Sequence, residues 1–550
     1  MNAESKRLFL AMFLTFGFLF VWTKYFGPKT NSTAEQIVTN SSAPLSSTQA
    51  VTNPIPLEKP TSTTKVLADT DNKNIPTETF ETNNEDFHAV FTNKSGSISS
   101  VELTHYFEGL NKDSKLVSVV PLAQATQSPL LWKMNLKTLD STQPPIVVDD
   151  QNTSYQWLEK TNQEVSFTTS PAHDVSIQKI YRFGKNPFVI EHVLRIDNKS
   201  SHSYYADAST FLASTHIPSA NQKKSFLSPQ NPDIHALAYV QGETKSLKLE
   251  KLSDKKAQFT TTPIEWSGFS SQYFLLATIP TESLWESVTG EYENEVGVLD
   301  MKYPQRTLGP NSSIEYVLKL YAGPKQMETL EGVYPTLDRA IELGSWVGGL
   351  ARLIHKLLGW IYGFIPNYGW AIIILTVLVR LAVFPLAQMQ ARSMKRMTAH
   401  KPAMDAMKEK YGKDRETYSR ELMSYMRTHK INPASGCLPL LIQFPVFIAL
   451  YRVLYNSIEL RHAPFGFWIH DLSTHDPFFV LPILVGITFY FQTKLNPTPM
   501  ADPAQQTMMK ILPVMFSVFM IFLPSGLNLY IFVSTLWGIV QQYMVQKQLT

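Results

Sequence analysis

The chain has 550 residues, enough for two or three domains, and its formal net charge at pH 7 is only +3. A net charge this small does not indicate that the chain as a whole binds nucleic acid or another acidic surface. The single cysteine, Cys437, excludes an intramolecular disulfide framework. The sequence contains no P-loop, GxGxxG, GxSxG or HExxH motif and no Cys/His zinc spacing. These absences count against ATP-driven, nicotinamide-dependent and common hydrolytic functions.

The N-terminus reads as a membrane anchor followed by a tether. Lys6 and Arg7 precede an apolar run over residues 8–22, a pattern shared by signal peptides and short anchors. No small-residue cleavage pattern follows, so we predict an uncleaved anchor over residues 1–27. Residues 28–79 are rich in Ser, Thr, Asn and Pro. They carry too few apolar side chains to offset the entropy of ordering, and we expect a flexible tether.

Residues 80–325 have the pattern of a β domain. Short runs such as VSIQKIYRF and SIEYVLKLYAG alternate in polarity and are separated by turn signals. About fifteen such runs, with no long amphipathic helix between them, predict a large antiparallel sandwich. The histidines that we considered as site residues stand apart from one another, which is typical of surface or core positions: His173, His202, His216 and His235.

Residues 326–366 form a linker that contains a candidate interfacial helix. Leu330, Val333 and neighbouring apolar residues have helical spacing over 325–344. In the segment SWVGGLARLIHKLLGWIYGFI, apolar residues from Trp346 to Leu358 share a face, with Arg352 and Lys356 opposite. This pattern favours a helix in the membrane interface. An ordinary helix packed on the sandwich is the alternative.

The segment 367–545 is predicted to be a five-span helical core, with apolar runs at 369–387, 438–455, 478–492, 508–523 and 527–544. Several runs are shorter than the roughly 20 residues of a usual span, so we expect local thinning of the bilayer. The loop 388–435 has eleven Lys/Arg against five Asp/Glu, which predicts a cytoplasmic position. Successive loops must lie on alternate sides of the membrane. With the N-terminal anchor as a further span, this rule predicts six spans, cytoplasmic termini, an external β domain and a cytoplasmic tail over 546–550.

Arg380 lies inside the first run of this core. A charge at such a depth costs at least about 2.5–3.5 kcal/mol on insertion scales, so it favours a bundle interior or a hydrated cavity over lipid. Snorkelling to a headgroup is the alternative. The polar residues predicted to share the groove with Arg380 are Thr376, Gln443, Asn528, Tyr530 and Ser534. Each one alone is more typical of a helix–helix contact.

The cytoplasmic segment 388–434 is predicted to be a helical hairpin rich in methionine, including Met394, Met397, Met404 and Met407. Methionine suits surfaces that meet varied apolar partners, so these residues are candidates for capturing a client segment. Alternatively, they fill the seam of the hairpin itself. The basic excess could contact lipid headgroups or ribosomal RNA, but no motif indicates sequence-specific nucleic-acid binding.

The outer loop carries two His-Asp pairs, His470-Asp471 and His475-Asp476. Their spacing is weak support for a metal site. The neighbouring Phe467 and Trp468 are typical of interfacial anchors instead.

Five motifs of the core resemble the YidC membrane protein insertases of Gram-negative bacteria: NYGWAIIILTVLVR, NPASGCLPLLIQFPVFIALY, ELRHAPFGFWIHDLSTHDP, the DP at 502–503, and PSGLNLY. The resemblance implies an inner-membrane protein whose periplasmic super-sandwich is similar to sugar mutarotases. It also implies a groove that is open to cytoplasm and lipid, with Arg380 and Thr376 in the positions of the family's groove residues. Two positions depart from relatives: Ile531 replaces a second tyrosine, and Arg452 stands where tyrosine is common.

The function implied by the resemblance is insertion and chaperoning of newly made inner-membrane proteins, alone or with the Sec translocon. The implied partners are nascent membrane proteins, the Sec translocon with its accessory subunits, and the bilayer; no catalytic residue, cofactor or metal is implied. The basic cytoplasmic loops add the ribosome as a candidate partner. Two rivals remain open. A solute or ion transporter would also bury an arginine, but we see no internal repeat. An anchored periplasmic carbohydrate-binding or carbohydrate-processing protein would require a site within the sandwich.

Overall fold

The computed structural model describes residues 75–548, with gaps at 112, 121–127, 140–143, 173, 185, 216–233, 250–256, 260–262, 283, 294–295, 345, 412–413, 430–437 and 496–502. The predicted anchor 1–27, nearly all of the predicted tether 28–79, and the histidines His173 and His216 lie outside the described residues. The described chain divides into two compact units, residues 75–340 and residues 341–548.

Residues 75–340 form antiparallel sheets. The described strands are β1 (Thr79–Asn83), β2 (Phe87–Thr92), β3 (Ser97–Phe107), β4 (Leu116–Val120), β5 (Leu130–Thr138), β6 (Ile146–Asp149), β7 (Gln156–Lys160), β8 (Glu164–Ala172), β9 (Val175–Phe183), β10 (Val189–Asn198), β11 (Tyr204–Thr215), β12 (His235–Val240), β13 (Glu243–Lys248), β14 (Ala257–Phe259), β15 (Ile264–Ser270), β16 (Phe274–Pro280), β17 (Ser287–Glu293), β18 (Val296–Lys302), β19 (Arg306–Leu308) and β20 (Ser312–Pro324).

The strands are arranged in three sheets. A four-stranded sheet has the order β1-β2-β3-β4, and a nine-stranded sheet has the order β13-β12-β15-β16-β20-β10-β9-β8-β7. A seven-stranded sheet has the order β14-β17-β18-β11-β5-β6, with β19 paired to β11. In β9, alternate residues from Val175 to Tyr181 are buried, so the alternation in the sequence marks the core face. The described strands outnumber the runs read from the sequence because several are only three to five residues long.

The β unit extends to Ala340, beyond the predicted boundary at 325. The predicted helix over 325–344 is absent as a single element; it is replaced by helix α1 (Met327–Val333) and a short 3-10 helix over Leu337–Ala340. Pro335 explains the break, because the residue before a proline disfavours helical backbone. Leu330 is fully buried, so the segment packs into the core of this unit.

Residues 341–548 are helical. The described helices are α2 (Gly348–Phe364), α3 (Tyr368–Ala399), α4 (Lys401–Tyr411), α5 (Arg415–Thr428), α6 (Leu438–Asn456), α7 (Val480–Leu495), α8 (Pro503–Met520) and α9 (Ser525–Gln548). Helix α9 packs against α3 and α7, α8 packs against α7, and α2 packs against α3 and α6.

The helices differ from the predicted spans in where two of them end and in how many are long enough to cross a membrane. Helix α3 does not end with the predicted span at residue 387 but continues to Ala399, into the predicted hairpin. Helix α9 extends to Gln548, so most of the predicted tail is helical. One described helix, α3, is long and apolar enough over Tyr368–Pro385 to cross a membrane, and shorter apolar helices cover Phe444–Asn456, Val480–Leu495 and Ile511–Met520.

Candidate functional site

Arg380 of α3 contacts Ser534 of α9. The Nε atom donates a hydrogen bond to the Ser534 hydroxyl at 2.8 Å, and Nη2 donates to the same oxygen. Ser534 is buried, while Arg380 is half-buried. Among the residues that the structure describes, no carboxylate forms an ion pair with this guanidinium. The guanidinium is therefore held by a neutral hydroxyl.

Two other predicted groove residues, Tyr530 and Thr376, lie near Arg380. Tyr530 is buried on α9 and lies close enough to Arg380 to interact electrostatically. Thr376 lies one turn before Arg380, fully buried, and its hydroxyl donates to the Ile372 carbonyl at 2.6 Å. The Thr376 hydroxyl therefore donates its hydrogen bond within its own helix. The side chain of Gln443 lies outside the described residues.

Asn528, another predicted groove residue, contacts the end of α8 and the turn that follows it. Its amide donates to the carbonyl oxygens of Met520 at 3.0 Å and Leu523 at 3.2 Å. These carbonyls belong to the turn that joins α8 to α9, so the amide holds this turn together. Its Oδ1 atom is buried without a hydrogen-bond partner among the described residues.

Hydroxyl groups that the sequence reading passed over join the remaining spans. Thr488 of α7 and Thr535 of α9 are hydrogen bonded through their hydroxyls at 3.0 Å. Ser517 of α8 donates to the Pro482 carbonyl of α7 at 2.7 Å. A Cβ on Gly486 would lie 2.7 Å from the Ser517 Cβ, so the glycine permits this close approach. Small and hydroxyl residues of this kind are the usual contacts between membrane helices.

The outer loop between α6 and α7 is held by its aspartates. Asp476 is fully buried; it accepts hydrogen bonds from the Trp468 indole at 3.0 Å and from the Leu481 backbone N–H at 2.7 Å. Asp471 accepts from the backbone N–H groups of His462 at 3.1 Å and Ser473 at 2.8 Å. These carboxylates support the loop and the start of α7. Within the described residues, no group of three potential metal ligands is present.

The same loop is attached to the N-terminal ends of α3 and α9. The backbone N–H groups of Ser525 and Gly526 donate to the carbonyls of Thr474 and Leu472, at 2.6 and 2.9 Å. A Cβ on Gly369 would lie 1.9 Å from the ring of Phe465. The loop therefore covers the end of the bundle that is opposite the hairpin.

The hairpin consists of α4 and α5, with Asp414 as the N-cap of α5. Met404 is 8% exposed and faces the hairpin, which favours the self-contained alternative for this residue. Met407 is half-buried, whereas Met389 and Met423 are 60% and 45% exposed. The side chains of Met394 and Met397 lie outside the described residues.

Helix α2 has two apolar faces rather than the single one predicted. Ile354, Leu358 and Ile361 are buried on the face toward the bundle, while Leu353 and Trp360 are 65% and 61% exposed. An exposed apolar stripe on a helix that also packs on its own unit agrees with an interfacial position.

The centre of the β unit holds a charged network that the sequence reading missed. Lys179 and Asp150 are fully buried and form an ion pair. Asp150 also accepts from the Tyr155 hydroxyl at 2.6 Å. The Trp132 indole donates to Nε2 of His192 at 2.8 Å, and burial lowers the pKa of His192 to about 3. Because all of these side chains are closed off from solvent, they offer no substrate site of the kind that a carbohydrate-processing sandwich would need.

Comparison with known proteins gives matches over both units. The family model described as YidC periplasmic domain matches residues 79–357, and the model described as 60Kd inner membrane protein matches residues 360–550. The Membrane protein insertase YidC of Geobacter metallireducens is 34% identical over 557 residues, covering 99% of this chain and 99% of that one. The protein of the same name from Methylobacillus flagellatus is 32% identical, covering 99% of this chain and 97% of that one.

A crystal structure of an active YidC insertase with its first transmembrane domain resolved is also similar, with a TM-score of 0.35 and 18% identity over 84% of this chain and 92% of that one. The relatives confirm the predicted insertase function, which is not enzymatic, and the class of a periplasmic β domain joined to a helical core. The protein is accordingly an inner-membrane protein with a periplasmic domain. Its identity with curated relatives over nearly the full length places the chain in the YidC family of membrane protein insertases.

Proposed function

We propose that the insertase activity of this chain depends on Arg380 as a receptor for acidic residues in the outward-bound tail of a client. The observation that carries the proposal is the environment of the guanidinium: it is half-buried and held by the Ser534 hydroxyl, with no ion pair among the described residues. A carboxylate of the client would gain a charge-assisted hydrogen bond, worth roughly 1.5–3 kcal/mol.

The path of the client follows from the exposed and polar surfaces of the helical unit. A nascent segment meets two exposed methionines, Met389 of α3 and Met423 of the hairpin, and then the polar residues around Arg380. Its apolar helix leaves toward lipid along α6 and α9, which releases hydrophobic free energy. The membrane potential adds about 2.3 kcal/mol per charge per 100 mV for an acidic tail that moves outward.

The topology belongs to the same proposal. Six spans, with the N-terminal anchor 1–27 and both termini cytoplasmic, follow from the basic excess of the hairpin loop. Helix α7 has 16 residues, about 24 Å of helix at the usual rise, against a hydrocarbon core of roughly 30 Å. This mismatch supports a thinned bilayer beside the groove. The basic hairpin would also suit contact with the ribosome, and the exposed spans would suit the Sec translocon.

The test is insertion of a single-span client with an acidic tail into vesicles that contain the full-length protein. Arg380→Ala should lower insertion at least ten-fold, whereas Arg380→Lys should keep part of the activity because it retains the charge. Lys is a point charge without the planar fork of Arg, so its rescue is expected to be incomplete. Full activity of Arg380→Ala would refute charge recruitment. A client with a neutral tail is the matched control and should be much less affected.

A solute transporter is the alternative. It predicts saturable flux of a small solute in the same vesicles without any client. The named relatives and the covered outer end of the bundle both favour insertion over transport.

A further inference from the structure

A line of polar residues runs along α9 beyond Ser534. Tyr530, Ser534, Trp537 and Gln541 follow at spacings of four, three and four residues. At roughly 100° per residue these positions lie within about 60° of one another around the helix axis. Since Ser534 contacts Arg380, the other three lie near the same face. The line thus continues from Arg380 toward the hairpin end of the bundle.

Two hydrogen-bond donors on this line are buried without a partner. The indole nitrogen of Trp537 and the amide nitrogen of Gln541 have no hydrogen-bond partner among the described residues. The Gln541 side chain as a whole is only 7% exposed. Burying a donor without an acceptor costs free energy, so each unpaired donor calls for an explanation. These two lie one turn apart on the face of α9 that contacts Arg380, where a bound client could supply the missing acceptors.

We propose that Trp537 and Gln541 bind backbone carbonyl oxygens of an extended client segment as it passes along α9. The proposal rests on the proposed function of this groove and names what a second part of it recognises. Both groups are uncharged donors, and a backbone carbonyl oxygen satisfies them without bringing a charge into the apolar span. The backbone carbonyl is the acceptor that every client residue supplies.

The spacing of the two donors agrees with an extended chain. Trp537 and Gln541 are separated by about 6 Å along the helix axis, from the rise of roughly 1.5 Å per residue. Carbonyls on the same side of an extended chain repeat every two residues, or about 6.6 Å. The two sites therefore divide recognition: Arg380 selects acidic tails, and the donors on α9 hold any tail regardless of its sequence.

Photo-crosslinking tests where these positions face. The full-length protein carries p-benzoylphenylalanine at one position and is bound to a ribosome-stalled single-span client, with either an acidic or a neutral tail. Positions 537 and 541 should crosslink to both clients. Leu536 and Val540 are the matched controls, because they are 44% and 48% exposed and directly precede the two tested residues. They should crosslink to lipid. Crosslinks to lipid alone from position 541 would overturn the proposal.

Insertion assays test the chemistry. The variant Gln541→Leu removes one donor at nearly constant volume, and adding Trp537→Phe removes the second donor while keeping an aromatic ring. The double variant should reduce insertion of acidic-tailed and neutral-tailed clients by the same factor, at least three-fold. Arg380→Ala should reduce only the acidic-tailed client. Unchanged insertion by both variants, or a loss confined to the acidic-tailed client, would refute backbone recognition.

One outcome separates failure of this inference from failure of the proposed function, and a fallback covers a variant that does not fold. If Arg380→Ala has no effect on either client while the donor variants do, charge recruitment fails and backbone recognition stands. If the double variant does not fold, judged by a melting temperature far below that of the parent, the single variant Gln541→Leu and the crosslinks decide. Absence of crosslinks from 541 to either client then overturns the proposal.

Discussion

His192 makes the stability of the β unit sensitive to acid. Its ring is fully buried, accepts the indole hydrogen bond of Trp132 at Nε2, and stacks on Tyr181 at 4.2 Å between ring centroids. Burial lowers its pKa to about 3 in the folded protein, against about 6.5 in an unfolded chain. The unfolded state therefore binds one more proton between these two values. Stability is complete above the unfolded pKa and falls as the pH drops toward the folded pKa.

The size of the effect follows from the two pKa values. At pH 5 the unfolded state gains about 2 kcal/mol from protonation of this one group, and the limit near pH 3 is about 5 kcal/mol. The variant His192→Gln should lose this contribution, since glutamine does not titrate but offers an amide oxygen to the Trp132 indole. All other groups titrate in both proteins, so the difference between the two isolates His192.

The assay is urea unfolding of a soluble fragment over residues 75–340 at pH 7.5 and pH 5.0, followed by tryptophan fluorescence. The parent should lose about 2 kcal/mol more free energy of unfolding than His192→Gln on acidification. His202→Gln is the matched control, because it makes the same replacement at a partly exposed histidine outside the buried cluster. An equal loss in the parent and in His192→Gln would refute the reasoning.

Three further changes test other contacts. Removing one partner of the buried Asp150–Lys179 pair should cost roughly 3–5 kcal/mol, whereas Asp150→Asn combined with Lys179→Met should cost far less than the sum; additive losses in urea unfolding would contradict a coupled pair. Asp476→Ala removes the acceptor at the start of α7 and should cost about 1–2 kcal/mol, seen as a lower melting temperature in detergent; an unchanged melting temperature would count against this cap. Gly369→Leu must displace Phe465 from the outer loop and should lower the melting temperature, with partial rescue by Phe465→Ala; tolerance of leucine without the second change would contradict the close contact.

The β unit could be foreseen because its strands alternate in polarity, but the alternation alone did not reveal that one of the internal residues is charged. In VSIQKIYRF the buried positions include Lys179, between Ile177 and Tyr181. What the pattern cannot supply is the partner: Asp150 precedes it by 29 residues and belongs to a short 3-10 helix after β6. Pairing of this kind depends on sheet topology, which a single sequence does not give.

The groove was only partly predictable. Arg380 and Ser534 stood out because polar residues in apolar spans are costly and usually face each other. Asn528 has the same appearance in the sequence, yet its amide bonds to a turn of its own. Trp537 reads as one more lipid-facing aromatic, since nothing in the sequence shows that its N–H is buried. The continuation of α3 through Pro385 was also missed, because membrane helices tolerate a proline that would end a soluble helix.

The unbroken course of α3 has a mechanical consequence. From Arg380 to Ala399 the helix extends over 19 residues, about 28 Å at the usual rise. Arg380 and the start of the hairpin therefore lie at the two ends of one continuous helical segment. A tilt of about 10° about the Arg380 position would move the hairpin end by about 5 Å while leaving the guanidinium almost in place. Under the proposed function, a client that displaces the hairpin would therefore leave the position of Arg380 almost unchanged.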